Sequence, residues 1–499
     1  MRLDELVAGA SGVDRIVGDP SVELSELVYD SRKAGPGALF FCVPGGKMDG
    51  HDFAVDVVEA GAAALVVERE LVVGAPQVVV ADARVAMAEL AARFHGDPTR
   101  ELRVVGVTGT NGKTTTAFLI REILERAEIR CGLLGTVKRV VGGVEEEVER
   151  TTPEAIDLQA SFRRMLDGGD EACAMEVSSH ALVLHRADAI HFEVAVFTNL
   201  TQDHLDFHAD MEEYFAAKRM LFEAGPGTAI VNVDDEHGRR LAGEFECVTF
   251  SAAGAGADYS ARGVSFDAGG ADFKLAQGPT GRFVAPGATN RPVGGEISVR
   301  TRLPGHFNVA NALGALAAAA ALGVEPDATA AGLATAAPPP GRFETIDEGQ
   351  EFAVLVDYAH TPDSVENVLR ASREFTAGRL IAVFGAGGDR DRDKRPKMGH
   401  AGAELADLVV VTSDNPRSED PASIVAEVAA GATAAGELVI EVDRRAAIAL
   451  ALGRAEPGDT VVIAGKGHEQ GQELEGGRKI PFDDRDVARQ ELRKLGSPA

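Results

Sequence analysis

The run Gly106-Val107-Thr108-Gly109-Thr110-Asn111-Gly112-Lys113-Thr114-Thr115-Thr116 constrains this chain more than any other. An apolar, β-prone stretch at 102–107 leads into it, and a segment of helical character at 117–126 follows. Strand, glycine-rich turn, then Lys-Thr at a helix start is an arrangement that cradles phosphate. Glycines let backbone N–H groups approach the anion, and the helix N-terminus adds partial positive charge. Lys113 adds a full charge, and a threonine hydroxyl can hold Mg²⁺.

The strict spacing G-x-x-x-x-G-K-[ST] is missed by one residue, because Val107 stands where its first glycine would be. The departure points to a particular branch of ATPases rather than away from phosphate binding. A length of 499 residues suggests roughly three domains, and the pattern divides at 1–97, 98–336 and 337–499. The first part mixes short β-like runs (63–67, 77–80) with acidic, alanine-rich helical stretches. The second holds the phosphate loop, further strands at 192–197 and 229–233, a Gly/Ala-rich segment at 251–302 read as a hairpin excursion, and an alanine-rich helix at 313–322. Ala337-Pro338-Pro339-Pro340-Gly341 cannot continue that helix and reads as a linker. Four β-like runs follow, at 353–356, 380–384, 408–411 and 461–464. Strands alternating with helices predict an α/β protein with a doubly wound central sheet and ligands at the strand C-terminal ends.

Composition narrows the partners. A net charge of −28 argues against nucleic acid or an anionic membrane, and it requires local cations wherever an anion binds. Four scattered cysteines, Cys42, Cys131, Cys173 and Cys247, form no metal pair and no disulfide framework. No apolar run is long enough to span a bilayer, and Asp4, Glu5 and Asp14 interrupt any signal-peptide layout. A soluble, cytoplasmic protein is expected.

Further chemistry sits near strand ends. Glu176, in Met175-Glu176-Val177-Ser178-Ser179-His180, is either a Mg²⁺ ligand or an acidic loop residue. His204, in Thr201-Gln202-Asp203-His204, is either a metal ligand or a loop histidine. Asp210 reads as an N-cap with Glu213 as its capping-box partner. In that helix Met211, Tyr214, Lys218, Leu221 and Phe222 share one face. Lys218 is then an ammonium on an apolar stripe. It either snorkels to water or stands neutral beside metal ions, where reaction with CO₂ would give an anionic carbamate. The glycines of Phe384-Gly385-Ala386-Gly387-Gly388-Asp389-Arg390 do not make a dinucleotide fingerprint. Instead Arg390 and Arg417 (in Asp414-Asn415-Pro416-Arg417) offer guanidinium forks for carboxylates. Gly465-Lys466-Gly467-His468-Glu469 follows the next strand at the same sheet edge, so a ligand with two carboxylates and an ammonium would match.

Taken together, these motifs resemble the Mur ligases, the ATP-dependent amide-forming enzymes of peptidoglycan synthesis. The resemblance covers nearly the whole chain and rests on 108–115, 176–180, 199–204, Ala216-Ala217-Lys218, 303–311 (LPGHFNVAN), Gly341-Arg342-Phe343-Glu344 and 357–362 (DYAHTP). Asp30-Ser31-Arg32, Asp49-Gly50-His51 and Asp414–Arg417 resemble the members that add a third residue, meso-2,6-diaminopimelate, to UDP-N-acetylmuramoyl-L-Ala-D-Glu.

The resemblance implies an N-terminal UDP-binding α/β domain, a central P-loop ATPase domain and a C-terminal Rossmann-like α/β domain. It assigns Thr108, Gly109, Thr110, Asn111, Gly112, Lys113, Thr114 and Thr115 to ATP phosphates, with Asn308, Asn311 and Arg342 near the base or phosphates. Two Mg²⁺ sites are implied, one on Thr114 and Glu176, the other on His204 and Lys218 as its carbamate (N6-carboxylysine). Lys113, Glu176, His204 and Lys218 would carry catalysis. Ser31, Gly46, Lys47 and Met48 would contact the uridine nucleotide, and Thr151, Thr152, Ser178 and Arg186 the muramoyl-peptide. Arg390, Asp414, Asn415, Pro416, Arg417, Gly465 and Glu469 would bind diaminopimelate. Leu184 and Arg150 depart from the family, standing where relatives can carry a glutamine and an asparagine that contact the peptide. A monomer without membrane insertion is expected. The rivals are another ligase of the superfamily, such as a folylpolyglutamate synthetase, and a nucleotide-gated switch without ligase activity.

Overall fold

Short runs of β-branched and apolar residues, many of them followed by a helix, set the architecture. The computed structural model describes residues 1–46, 48–148, 150–205, 207–254, 256–267, 269–277 and 296–496. Lys47, expected at the uridine nucleotide, and 278–295 of the expected hairpin excursion lie outside the described residues. The chain divides into two compact units: one comprises Met1–Gly106, Ile129–Ala195 and Met220–Gly227, the other Val107–Glu128, Val196–Arg219 and Thr228–Ala499. The strands Arg103–Thr108 and Phe192–Phe197 each carry the chain from the first unit into the second.

In the first unit a five-stranded sheet has the order Val13–Val17, Gln77–Val80, Ala64–Val67, Ala38–Phe41, Glu26–Val28. Its first pair is antiparallel and the rest are parallel. Strands such as Ala38–Phe41 and Ala64–Val67 are buried at every position, as expected of a parallel sheet covered on both faces. Leu39, Phe41, Val66, Val78 and Val80 pack into one core, while Phe40, Leu65, Val67 and Val79 face another. Asp82 caps the Ala83–Phe94 helix by accepting from Arg84 N and Val85 N. The same unit holds Ala172–Glu176 parallel to Cys131–Leu134, followed by the antiparallel pair Arg139–Val141 and Val144–Glu146.

In the second unit Thr228–Asn232, Val248–Ser251 and Tyr259–Asp267 are parallel neighbours, and Gly270–Gln277 and Ile297–Thr301 continue antiparallel. These antiparallel strands are the described part of the expected excursion. A six-stranded sheet follows, in the order Glu344–Thr345, Ala353–Asp357, Thr460–Ala464, Leu380–Phe384, Leu408–Val411, Glu437–Ile440. It is parallel except for its first pair. Sequence patterning finds the four inner strands and misses both edges. Glu437–Ile440 is largely exposed and lacks a full apolar run, and Glu344–Thr345 is too short to carry a pattern. One face of this sheet packs Val354, Ile381, Val410 and Ile463 against Ile448, Leu452, Val487 and Leu492 of two helices, Arg444–Gly453 and Asp484–Gly496. Among the described residues no helix is long and apolar enough to cross a membrane.

Candidate functional site

Two glycines shape the phosphate loop. Gly109 has φ +147° and Gly112 φ +85°, and a Cβ on either would collide with Thr198 or Asn311 respectively. The Lys113–Arg126 helix starts at once after the loop, so its N-terminus and its dipole serve that loop. Lys113 Nζ donates to the carbonyls of Gly109 at 2.9 Å and Thr110 at 2.7 Å. Asn111 N donates to Asn199 Oδ1 at 2.9 Å, and Asn111 Nδ2 to Asp363 Oδ2 at 2.8 Å. Asp363 opens the Pro362–Arg373 helix, and burial pushes its carboxyl above the ordinary range. Arg342 Nη2 donates to Thr114 Oγ1 at 3.2 Å, and its guanidinium lies 4.5 Å from the centroid of the Tyr358 ring. Asn308 and Asn311, one turn apart on the His306–Ala321 helix, are buried and bonded to each other at 3.2 Å. Asn111, Gly112, Thr115, Asn308, Asn311, Arg342 and Tyr358 line one pocket. Sequence reasoning missed Asp363 and left Tyr358 without a role, since their meaning depends on a loop distant in the chain.

Lys218 does not snorkel. It is 1% exposed, its Nζ donates to the Gly109 carbonyl at 2.8 Å, and it lies 4.3 Å from the Tyr214 ring centroid. Burial, and next the Lys113 charge, push its pKa well below the ordinary lysine range, against the opposing pull of Asp203. Asp203 itself stays below its usual value despite burial, because His204, His360 and Lys394 favour its charge. His204 takes a left-handed φ of +56°, its N–H donates to Asp203 Oδ1 at 2.9 Å, and its Nε2 lies 3.5 Å from Asp203 Oδ2. At the start of this helix Glu213 N does donate to Asp210 Oδ1, but the Glu213 carboxylate accepts from Ala209 N at 2.7 Å. The expected box therefore closes one residue early.

The parallel register brings the third-domain residues to one edge. Arg390 follows Leu380–Phe384, Asp414 to Arg417 follow Leu408–Val411, and Gly465 to Glu469 follow Thr460–Ala464; these are neighbouring strands. Asn415 Nδ2 donates to Glu469 Oε2 at 2.8 Å. Pro416 and Arg417 turn the chain, Arg417 at φ +51°. The Arg417 guanidinium is not the open fork that the sequence suggests: its Nε donates to Glu473 Oε2 at 2.9 Å and its Nη1 to the Gly388 carbonyl at 2.7 Å. Glu473 lies on a short ribbon, Gly471–Glu473 with Lys479–Pro481, that has no apolar signature. Burial raises and the charges of Lys466 and Arg444 lower the pKa of Asp414, with a net shift downward.

In the first unit Glu176 ends its strand with both carboxylate oxygens engaged, Oε1 by Thr136 N at 2.7 Å and Oε2 by Thr136 Oγ1 at 3.1 Å. Thr151 Oγ1 lies 3.0 Å from Thr136 Oγ1, and Thr152 Oγ1 donates to the Glu176 carbonyl at 2.9 Å. Ser178 N donates to Thr152 Oγ1 at 3.2 Å, and Arg186 Nη1 to the Thr152 carbonyl at 3.3 Å. Buried Glu154 gathers Arg150 at 2.6 Å, Arg186 at 2.9 Å and Arg84 at 3.4 Å. A cavity of about 250 Å³ is lined by Tyr29, Lys33, Arg139, Arg150, Thr151 and Asp157 among others. Thus Tyr29 and Lys33, rather than Ser31 between them, reach its lining. Ser31 starts a single 3₁₀ turn capped by Asp30; Gly46 and Met48 are exposed. Among the described residues no group of three or more His, Cys, Asp or Glu could hold a metal ion.

A glycine loop at a helix start, a buried amine beside it and a charged edge on a second parallel sheet define a nucleotide-phosphate-binding α/β class. Three domain families match the chain: "Mur ligase family, catalytic domain" at 23–95, "Mur ligase middle domain" at 107–319 and "Mur ligase, glutamate ligase domain" at 341–467. The chain belongs to the Mur ligase family. It is 49% identical to a Streptomyces coelicolor protein named UDP-N-acetylmuramoyl-L-alanyl-D-glutamate--2,6-diaminopimelate ligase, over 95% of this chain and 94% of that one. A Geobacillus thermodenitrificans protein of the same name is 46% identical, over 95% of each chain. A solved structure of a ligase of that name matches with a TM-score of 0.70 and 33% identity, covering 100% of both chains.

Proposed function

We propose that this chain is an ATP-dependent ligase that joins meso-2,6-diaminopimelate to the D-Glu of UDP-N-acetylmuramoyl-L-Ala-D-Glu, as a step of cytoplasmic peptidoglycan-precursor synthesis. The observation that carries this reading is the sheet edge at which Arg390, Asn415, Arg417 and Glu469 follow neighbouring strands, with Asn415 bonded to Glu469, in a unit that also holds the phosphate loop. Two arginines suit two carboxylates, Arg417 through the guanidinium donors that Glu473 and the Gly388 carbonyl do not take, and a glutamate suits an ammonium. Four free cysteines fit a reducing compartment. The cavity of the first unit, with Lys33, Arg139 and Arg150 in its lining, suits the phosphates of the UDP-linked substrate.

The D-glutamyl side-chain carboxylate attacks the γ-phosphorus of ATP and ADP leaves. Lys113, released from the loop carbonyls, offsets charge that develops on the phosphoryl oxygens. The product, an acyl phosphate, has a good leaving group on its carbonyl carbon. The neutral amine of diaminopimelate attacks that carbon, the tetrahedral intermediate expels phosphate, and the nitrogen loses a proton. Thr114 Oγ1 is a hard oxygen donor suited to Mg²⁺, as is the Glu176 carboxylate of the first unit, and His204 with a carbamate on Lys218 would suit a second ion. Bound there, Mg²⁺ would offset phosphate charge. A lysine buried beside a second cation is the amine most readily neutral, and only a neutral amine adds to CO₂; this supports Lys218 as the carbamate.

Phosphate release with ATP, Mg²⁺ and the UDP-dipeptide tests the reading, comparing meso-diaminopimelate, L-lysine and no amino acid. Release is expected only with diaminopimelate, together with a product one residue heavier. Release indifferent to amino acid would replace the ligase by a hydrolase or switch.

A further inference from the structure

Lys466 is completely buried, yet its Nζ donates to Asn415 Oδ1 at 2.9 Å and to Glu469 Oε2 at 2.8 Å. Asn415 closes the triangle by donating to the same Glu469 oxygen at 2.8 Å. Asn415 Oδ1 also accepts from Glu473 N at 2.9 Å, and the Glu473 carboxylate holds Arg417. An ammonium only donates and a carboxylate only accepts, so this triangle permits one orientation of the Asn415 amide: oxygen on Lys466, nitrogen on Glu469. Gly465 at φ +123° and Gly467 at φ +52° flank Lys466, in left-handed backbone that favours glycine.

We propose that Lys466 is a positioning residue of the amino-acid site, setting which polar groups Asn415 and Glu469 present to the incoming amino acid. The proposal rests on the ligase reading above. A buried ion pair is a weak source of stability, because desolvation offsets most of its attraction. Stability alone is therefore a poor reason for a lysine here, whereas fixing a donor pattern is a good one. The Lys466 side chain is 0% exposed while that of Glu469 is 30% exposed, so the pair is anchored inside and open on its carboxylate side. Beneath it, buried Arg444 pairs with Asp484 and donates to the carbonyls of Ser413 at 3.2 Å and Ala464 at 2.9 Å. Those bonds tie down the two strand ends that deliver Asp414 and Gly465. Lys466 is left with the task above them: orienting side chains rather than backbone.

The test is the kinetics of full-length Lys466→Met. Loss of a charge-assisted bond to the site's two polar groups is expected to raise the amino-acid KM about tenfold or more. The KM values for ATP and for the UDP-dipeptide should stay within about twofold, because Asn415 and Glu469 are assigned to the amino acid and not to either of those substrates. If Lys466 acts through its two neighbours, Lys466→Met added to the Asn415→Ala, Glu469→Ala pair should cost no more than that pair alone. Equal rises for all three substrates, or a further loss when Lys466→Met is added to the Asn415→Ala, Glu469→Ala pair, overturn the proposal. Should Lys466→Met lack a cooperative melt, Lys466→Gln decides the same question, and an unchanged amino-acid KM rejects it. Wild-type phosphate release with each amino acid, run alongside, tests the ligase reading separately; the Lys466 ratio is read on whichever amino acid the wild type accepts.

Discussion

Lys218 and Lys466 lie in the same unit, 1% and 0% exposed, and their surroundings differ in kind. Lys218 meets a backbone carbonyl and the face of a tyrosine, with the like charge of Lys113 acting against it. Lys466 meets a carboxylate and an amide oxygen. Burial disfavours a charged amine, and at Lys218 no close carboxylate contact among the described residues opposes it strongly enough to keep the pKa from falling. The first environment favours a neutral amine; the second holds its amine between two oxygen acceptors. A fully buried lysine is therefore not one kind of feature, and a burial value alone would place these two together.

The largest expected effect lies on the Lys218 side. If its nitrogen carries the carbamate, Lys218→Ala should lower turnover on the order of a hundred- to a thousandfold, as for loss of a group that stabilises developing charge. Added formate or another short carboxylate should restore part of the rate. Steady-state phosphate release measures both, and full activity in the variant would erase the chemical half of the comparison. Next comes the edge that Lys466 underlies. Arg417→Ala should raise the diaminopimelate KM far more than the ATP KM, by roughly 1.5 to 3 kcal/mol for a lost charge-assisted bond. Equal changes in both constants would remove Arg417 from the amino-acid site.

The smallest effect concerns stability and pH. The folded pKa of Lys218 lies well below its ordinary value, and an unfolded lysine titrates near about 10.4. Between those two values the unfolded chain binds a proton that the folded chain does not, so this group makes stability rise with pH across that window. Lys218→Met has no such proton. In buffer free of CO₂, its melting temperature relative to wild type should therefore be most favourable near neutral pH and lose that advantage as pH rises. Calorimetry at a series of pH values checks this, and a pH-independent difference would mean that Lys218 is charged in the fold.

The inner strands of the six-stranded sheet were legible because Leu380–Phe384 and Leu408–Val411 are continuous apolar runs buried on both faces. The edge strand Glu437–Ile440 was not, because a strand open to water needs no such run. The phosphate loop was legible because glycine, lysine and threonine at fixed spacing act through local backbone. Asp363, Glu473 and Glu154 carry no comparable signal: an acidic residue on a helix start or a short ribbon is ordinary until the fold sets it against Asn111, Arg417 or Arg186.

By itself the sequence determined where phosphate-binding backbone can form, which inner segments of the last sheet are strands, and that two arginines follow successive strands. All of these depend on residues close in the chain. Only the tertiary structure decided that Lys218 stays buried, that Arg417 is held by Glu473, and that Lys466 stands beneath Asn415 and Glu469. Glu469 is a near neighbour of Lys466, but charge state and donor orientation also depend on desolvation and on partners brought together from 51 to 109 residues away, and no local spacing encodes those.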